Sequence, residues 1–348
     1  MIKKNLSQPL YVQIAHSIKQ DIIAGKLPSG SILPPTMKMA EDYGVCHKTV
    51  QTAMKALMHE GLLIRRPRHG TTVSNLTGSI HGIPKHEKQV SLLIQFNNED
   101  FLGTFYPKQL INGVMAAARE HNCKVEVNVY SNLDTVSIAP YLHGFLLVLP
   151  SREQALKIKR LGLPTVLLDM YFERLRLGYV RTDNVYGICS MVRHLLKLGH
   201  KNMLYVRHDS ESFHVQERYK AFTHLMKKYE NKCQGDIINI KDIESGFDFT
   251  PFTAVMTDSN DTMVRTLNVL DERSIQCPDN ISVISFDDID PALRFPHSLT
   301  VTRQNLEEIG LIGLNLLLEE GERWRNAKIL VKPSMIVRKS TRAVQDQP

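Results

Sequence analysis

Over the first 74 residues apolar positions recur with helical spacing and then with strand spacing. Leu10, Ile14, Ile18 and Ile22 fall four apart, on one face of an amphipathic helix that should stop near Gly25. Leu27-Pro28-Ser29-Gly30 is turn chemistry. The spacing predicts a short second helix over Thr36–Tyr43, burying Met39, Ala40 and Tyr43, with Gly44 as its stop. A third helix over His47–His59 turns Val50, Ala53, Met54 and Leu57 inward, and Gly61 closes it. Leu62–Arg66 and Thr71–Val73 then read as two short strands around Pro67-Arg68-His69-Gly70. Three helices followed by a hairpin is the plan of a winged helix-turn-helix domain, residues 1–74. Residues 75–88 break all periodicity, punctuated by Gly78, Gly82 and Pro84. As a coil, such a linker spans roughly 20 Å.

From residue 89 onward short apolar runs alternate with helical ones. The strand-like runs are Val90–Phe96, Lys124–Tyr130, Gly144–Leu149, Thr165–Leu168, Tyr179–Thr182, Asn202–Arg207, Ala254–Thr257 and Ile281–Phe286. The helical ones are Pro107–Glu120, Glu153–Leu161, Val185–Lys197, Val215–Tyr229, Asp261–Glu272 and Leu306–Glu319. This rhythm predicts an α/β body with parallel sheets flanked by helices. Ligands of such sheets bind beyond the carboxyl ends of the strands, so the residues just after each strand are the candidates.

Charge separates the two parts. Residues 1–74 hold ten Lys/Arg against four Asp/Glu, a net +6 out of +7 for the whole chain. A basic module on a nearly neutral body predicts a polyanion partner, double-stranded DNA. The third helix offers His47, Lys48, Thr49, Gln51, Thr52 and Lys55, and the hairpin offers Arg65, Arg66, Arg68 and His69. Such side chains donate to phosphates and base edges. Equally, a basic helix face can be a merely solvated one.

Other classes are less well supported. No apolar run approaches the ~20 residues that span a bilayer, and no apolar segment follows Lys3-Lys4 to make a secretory signal. A cytoplasmic location, nucleoid-associated on DNA, and no membrane partner are expected. The five cysteines are scattered with no C-x-x-C pair, which predicts free thiols and neither a disulfide frame nor a metal site. No phosphate loop, G-x-S-x-G, H-E-x-x-H or dinucleotide fingerprint is present, so neither an enzyme nor a cofactor is expected.

The stretches PLYVQI, GKLPSGSILP, GVCHKTV, ALMHEGL and HGTTV, in order over residues 9–73, resemble the GntR family of winged helix-turn-helix domains. The resemblance implies operator contacts by two arginines, and both are missing. Pro35, Thr36 and Met37 stand where the family has Ser-x-Arg, and Cys46 and His47 stand where it has Ser-Arg. Arg68 replaces a wing glycine. Lys38, His47 and Lys48 are the candidate replacements, Cys46 is a weaker helix cap than serine, and the operator should differ from the usual one.

In the body, LHGFLLVLP, LGLPTVLLDM, VRTDNVYG, HLLKLGHKNMLYV, ERYKAF, TAVMTDSND, CPDNISVISFDD and PHSLTVTRQNLEEIG follow one another in the order of the LacI/GalR effector domain, which they resemble. That resemblance implies a type I periplasmic-binding-protein-like fold over residues 89–348, with subdomains at about 89–185 plus 305–328 and 186–304 plus 329–342. It implies a small effector in the cleft between them, held by Arg218 and Asp287 foremost, with Asn260, Asp169, Asn97 and Gln304 in support. Asp183 is a weaker candidate. Asp287 and Asp288 could instead cap a turn, or pair with Arg218 without any ligand. Phe105, Tyr106, Tyr171 and Phe172 could offer an aromatic face or equally pack in the core, and Trp324 is expected in packing. A sugar fits this set because each buried hydroxyl of a polyol needs a partner.

The expected protein is a homodimeric, effector-controlled transcriptional regulator, by default a repressor, reading a pseudo-palindrome. The alternatives are a cytoplasmic solute-binding protein, or a regulator with a vestigial cleft controlled by a protein partner.

Overall fold

The computed structural model describes residues 9–23, 26–28, 30–59, 62–66, 70–73, 88–95, 105–131, 142–210, 212–288, 298–319 and 321–344. The chain forms two compact units, one built on the first 88 residues and one on the bulk of the chain from Gln89 onward. The 75–88 linker lies outside the described residues except for Lys88.

The first unit comprises α1 (Leu10–Ile23), α2 (Thr36–Tyr43), α3 (His47–His59) and the hairpin β1 (Leu63–Arg66) and β2 (Gly70–Val73). Its core joins Ile14, Ile18, Val50, Ala53, Leu57 and Leu63, each nearly free of solvent contact. Burying one such aliphatic side chain contributes about 1.5–3 kcal/mol. The helical spacing therefore dictates the packing: one apolar residue per turn of α1 meets the inward face of α3. Tyr43 is only partly buried at the edge of this core. Gly44 ends α2 in the left-handed conformation (φ 65°), where glycine lacks the Cβ penalty. The hairpin pairs Leu63 with Val73 and Arg66 with Gly70. The Ser31–Leu33 segment bonds along β2, with Leu33 N–H donating to Thr71 O and Val73 N–H to Ser31 O.

The second unit contains two six-stranded sheets. The first holds β3 (Gln89–Gln95), β4 (Lys124–Tyr130), β5 (Gly144–Val148), β6 (Thr165–Leu168), β7 (Gly178–Thr182) and, much later, β13 (Lys328–Val331). Their order is β13-β7-β6-β5-β3-β4, all parallel. α4 (Phe105–Glu120) and α10 (Leu306–Leu318) share its core on one face, and α5 (Arg152–Lys159) links β5 to β6. α4 and α10 approach almost backbone to backbone. A Cβ on Gly113 would stand 1.8 Å from the Glu307 carbonyl oxygen, and one on Gly310 2.3 Å from that of Leu110. Trp324 is buried in the same core, as expected of packing.

The second sheet holds β8 (Asn202–Arg207), β9 (Gln234–Asn239), β10 (Ala254–Thr257), β11 (Ser282–Phe286), β12 (Thr300–Arg303) and β14 (Ser334–Ile336). Its order is β14-β12-β11-β10-β8-β9, with only β14 antiparallel. α6 (Asn184–Lys197) and α7 (Phe213–Lys228) cover one face, and α8 (Ile240–Glu244) and α9 (Asn260–Glu272) the other.

The chain passes between the sheets three times, after β7, after β12 and after β13. One boundary expected from sequence is corrected: Lys328–Val331 pairs with β7 in the first sheet, so the final crossing comes at 332–333 and residues 329–331 do not belong with the second subdomain. Sequence periodicity also missed β9, β12, β13, β14 and α8. The crossings are cross-braced. Asp183 N–H donates to Val331 O at 2.9 Å, and Asn305 Nδ2 to Lys332 O at 2.8 Å.

Candidate functional site

In the first unit α3 presents Lys48, Gln51, Thr52 and Lys55 to solvent, beside exposed Lys38 on α2 and exposed Arg65 on β1. His47 and Thr49 are half-buried. His47 Nε2 lies 2.8 Å from Thr36 Oγ1, so this side chain ties the starts of α2 and α3 together. Thr52 donates to the Lys48 carbonyl, which leaves its hydroxyl proton engaged. Cys46 Sγ sits 3.0 Å from Thr49 Oγ1, and the hydrogen bonds from Thr49 hold its thiol below the usual thiol range. Cysteine here takes the place of a hydroxyl cap. The side chains of Arg66, Arg68 and His69 lie outside the described residues.

In the second unit the candidate effector residues converge on the strand ends that face the crossings. Arg218 rises from α7, buried, with its guanidinium carbon 3.6 Å from the centre of the Phe286 ring. Its Nε donates to Asn184 Oδ1 at 2.8 Å. Its Nη1 donates to the Asp258 carbonyl at 2.6 Å and lies 3.4 Å from Asp287 Oδ2. Gln304 Nε2 donates to Asp287 Oδ1 at 2.6 Å. Gln304 Oε1 lies 2.5 Å from the Thr182 hydroxyl, which also lies 2.8 Å from Asp169 Oδ1. One hydroxyl proton serves one of these two acceptors at a time. Asp169 further accepts from Thr182 N–H and from the Tyr106 hydroxyl, each at 2.9 Å. A continuous polar chain thus runs from Tyr106 and Asp169 in the first subdomain to Asp287 and Arg218 in the second.

Backbone strain marks the same places. Leu149, Asp169 and Asp287 have φ of 52°, 51° and 73°, each just beyond the end of β5, β6 or β11. A non-glycine residue there costs on the order of 1–2 kcal/mol, which the surrounding bonds must offset. Burial pushes the carboxyls of Asp169 and Asp258 up, against the hydrogen bonds they accept. Burial also pushes the His214 imidazole down to about 3, with Arg218 adding to the effect.

Polar atoms without a partner concentrate around this cluster. Among the described residues, buried Arg181 Nε, Tyr205 Oη, His208 Nδ1, His214 Nδ1, Thr257 Oγ1 and Asn260 Oδ1 have no hydrogen bond. A buried unpaired polar atom costs about 1–3 kcal/mol, so such a concentration suits a place where another molecule supplies partners.

The structure brings together Arg218, Asp287, Gln304 and Asp169 from the sequence-derived set. Asn260 stands near them, its Nδ2 donating to the Asp288 carbonyl at 3.4 Å. Asn97 and Phe105's side chain lie outside the described residues. Asp183 caps α6, accepting from Tyr186 N–H, and so has a structural occupation. Asp288 is clasped by Arg303 and, bidentately, by Arg338, which hold its carboxyl below the usual range despite burial. Tyr106 contributes a hydroxyl, which donates to Asp169. Sequence reasoning did not single out Thr182, Asn184, Asp258, Arg181, Glu217 or His214. Asn184 and Glu217 each adjoin a residue that it did consider. A separate groove of about 420 Å³ between α6 and α7 is lined by Tyr171, Val185, Cys189, Phe213, Glu217 and Lys220. No group of three or more His, Cys, Asp or Glu side chains among the described residues is arranged to hold a metal ion. No helix there is long and apolar enough to cross a membrane.

The GntR family of bacterial regulatory proteins matches residues 10–73, and the periplasmic binding protein-like domain matches residues 192–341. The arabinose metabolism transcriptional repressor of Halalkalibacterium halodurans is 24% identical over 95% of this chain and 96% of its own. The protein of the same name from Geobacillus stearothermophilus is 21% identical over 98% of this chain and 100% of its own. A LacI family transcriptional regulator from Weissella paramesenteroides, solved with bound glucose, superposes with a TM-score of 0.60 at 17% identity, over 74% of this chain and 99% of its own. A basic winged helix-turn-helix domain, two sheets joined by three crossings and full-length likeness to repressors lead to one conclusion: the chain is a DNA-binding transcriptional regulator with a GntR-family head and a periplasmic-binding-protein-like body.

Proposed function

We propose that this protein is a cytoplasmic repressor whose operator affinity is set by a neutral sugar bound between the two subdomains of its body. The observation that carries this reading is the Arg218–Asp287–Gln304–Asp169 chain, with unpartnered polar atoms on His214 and Asn260 beside it. A polyol supplies the many donors and acceptors that such atoms lack. The relatives named for arabinose metabolism make arabinose the first molecule to try. Charge argues for a neutral ligand. Among the described residues, Asp169, Asp258, Asp287 and Glu217 gather around Arg181 and Arg218, and both arginines already hold a carboxylate. A phosphate or uronate would compete with those carboxylates and would add negative charge to a buried, acid-rich site.

Control then follows from unequal affinity of the sugar for open and closed clefts, and DNA and sugar must affect each other by the same factor. In the head, Lys38, Lys48, Gln51 and Lys55 are the groups we assign to DNA. Residues 1–74, the 75–88 linker and the body form the three functional parts.

The test uses the full chain and operator DNA selected from random sequence. Neutral pentoses and hexoses, their phosphates and the matching uronates are compared by thermal shift and by their effect on operator binding. A neutral sugar at 100 times its Kd should stabilise by about 2.7 kcal/mol. Stronger stabilisation by a phosphate would refute the neutral-ligand part. No response to any of them would favour a cleft controlled by a protein partner.

A two-fold operator needs a two-fold protein. We place the body's dimer contact on the outer part of the first sheet. Val127 and Val129 share one face of the edge strand β4 and are 38% and 39% exposed, and Met115 on α4 is 38% exposed. Val125, on that same face of β4, packs with the core that α4 covers. Val127→Asp with Val129→Asp should convert dimer to monomer by light scattering at micromolar concentration. An unchanged mass would move the contact elsewhere.

A further inference from the structure

The strand before the first crossing and the helix that carries Arg218 are joined by a second charged contact. Arg181 is the penultimate residue of β7, in the first sheet, and Glu217 precedes Arg218 on α7, over the second. The pair is bidentate: Nη1 to Oε2 at 2.6 Å and Nη2 to Oε1 at 2.9 Å. It is well shielded, with side-chain exposures of 9% and 20%. Aromatic rings from both subdomains enclose the guanidinium. Its carbon lies 4.8 Å from the ring centre of Tyr171 and 5.6 Å from those of Tyr179 and Phe213. Tyr171 and Phe213 themselves meet edge to face at 5.1 Å across the same junction.

Glu217 also reaches toward the effector residues. Its Oε2 accepts from Asn184 Nδ2 at 2.8 Å, while Asn184 Oδ1 accepts from Arg218 Nε at 2.8 Å. The amide of Asn184 is therefore oriented from one side by the ion pair and from the other by Arg218. Turning it over would set an N–H group against the Arg218 N–H and the amide oxygen against the Glu217 carboxylate. The relay Arg181–Glu217–Asn184–Arg218 has one polarity.

We propose that Arg181 and Glu217 are positioning residues that latch the two subdomains together at the crossing and, through Asn184, aim Arg218 at the effector. A fork-to-fork pair defines both distance and angle, which a single contact would not. Opening at this edge has to part the pair or carry α7 with β7. Either motion disturbs Asn184. The latch is consequently a point at which subdomain closure and the setting of Arg218 are linked. Its link to effector rests on the cleft reading given above, while its closure of the crossing does not.

The experiment has two arms, both on the full chain. In the first, hydrogen exchange is followed in wild type, Arg181→Lys and Glu217→Gln without added ligand. Exchange at the amides of 182–184 and of the first turn of α7 should accelerate at least 10-fold in both variants, with α3 unchanged. Unchanged exchange at 182–184 would overturn the latch, whatever the ligand. In the second, arabinose binding is measured by calorimetry for Glu217→Gln, Asn184→Ala and the two combined. Each single change should weaken binding about 10-fold, and the pair should weaken it little further, because both break one relay. A combined loss near 100-fold would mean two independent contacts and would overturn the relay. A purely structural ion pair would lower Tm in Glu217→Gln and leave arabinose affinity as it was, which would also overturn it. Absence of arabinose binding in wild type would count against the sugar reading, and the exchange arm alone would then decide the latch.

Discussion

An Arg218→Ala protein should lose the response to sugar and a large part of its stability together. Arg218 is 3% exposed and joins Asn184, the Asp258 carbonyl and Asp287. Removing it takes the donor from the Asn184 amide oxygen, leaves the Asp287 carboxylate with Gln304, and opens the space beside the Phe286 ring. Breaking a fully buried ion pair from one side costs about 3–5 kcal/mol; Asp287 is partly exposed and keeps its bond from Gln304, so the loss here should sit at the low end of that range or below it. A charged hydrogen bond to a ligand is worth about 1.5–3 kcal/mol, so sugar affinity should fall by about 100-fold or more. Arg218→Lys keeps the charge but loses the fork that meets Asn184 and Asp258 at once, and should recover stability better than binding. Urea denaturation gives the first effect and thermal shift with the sugar panel gives the second. A full sugar response in Arg218→Ala would show that the ligand sits elsewhere.

The second large effect is a response to acid that comes from His214. Its imidazole is pushed down to about 3, first by burial and next by the Arg218 charge. The unfolded chain would protonate it near the ordinary value of about 6.5. Between about pH 6.5 and 3 the unfolded state therefore holds a proton that the folded state lacks. Stability from this residue is fully present above that window and falls as pH falls through it, by up to about 1.4 kcal/mol per pH unit. Asp169 and Asp258 act in the opposite sense. Their raised carboxyls make the folded state the better proton binder above the ordinary carboxylate range, so acidification favours the fold there. His194 and His200, also pushed down by burial, act in the same sense as His214 as pH falls. His214→Gln should flatten the dependence of the urea midpoint on pH between about pH 7.5 and 5. Equal slopes for variant and wild type would assign the acid sensitivity to other groups.

Much of this architecture could be read from apolar spacing. α2 and α3 begin and end where Thr36, Gly44, His47 and Gly61 placed them. Each has a strong one-sided pattern and a glycine after it, so local propensity and tertiary packing agree. The unread elements are the ones where they do not. β9 contains Gly235 and Asp236 and lies at a sheet edge, and β13 and β14 are short edge strands defined by partners far away in sequence. Nothing local marks Lys328–Val331 as a strand of the first sheet, because its partner β7 is some 150 residues earlier. The site divides along the same line. Arg218, Asp287, Asp169 and Gln304 follow recognisable strand ends or motifs. Thr182, Asn184 and Glu217 matter through contacts with residues 33 to 122 positions away, which no spacing reveals. The hydroxyl of Tyr106 matters through Asp169, 63 positions away, which its place in the sequence does not show.

The three crossings bear on how such a protein can be recombined. The head occupies one contiguous stretch of sequence ahead of β3, so one junction suffices to exchange a DNA-reading unit for another. Neither half of the body has that freedom. A graft of the second subdomain would need cuts near 183, 304 and 332, and all three seams would have to match at once. New operators can thus be acquired by fusion, whereas new ligands must be acquired by point substitution inside an indivisible sensor.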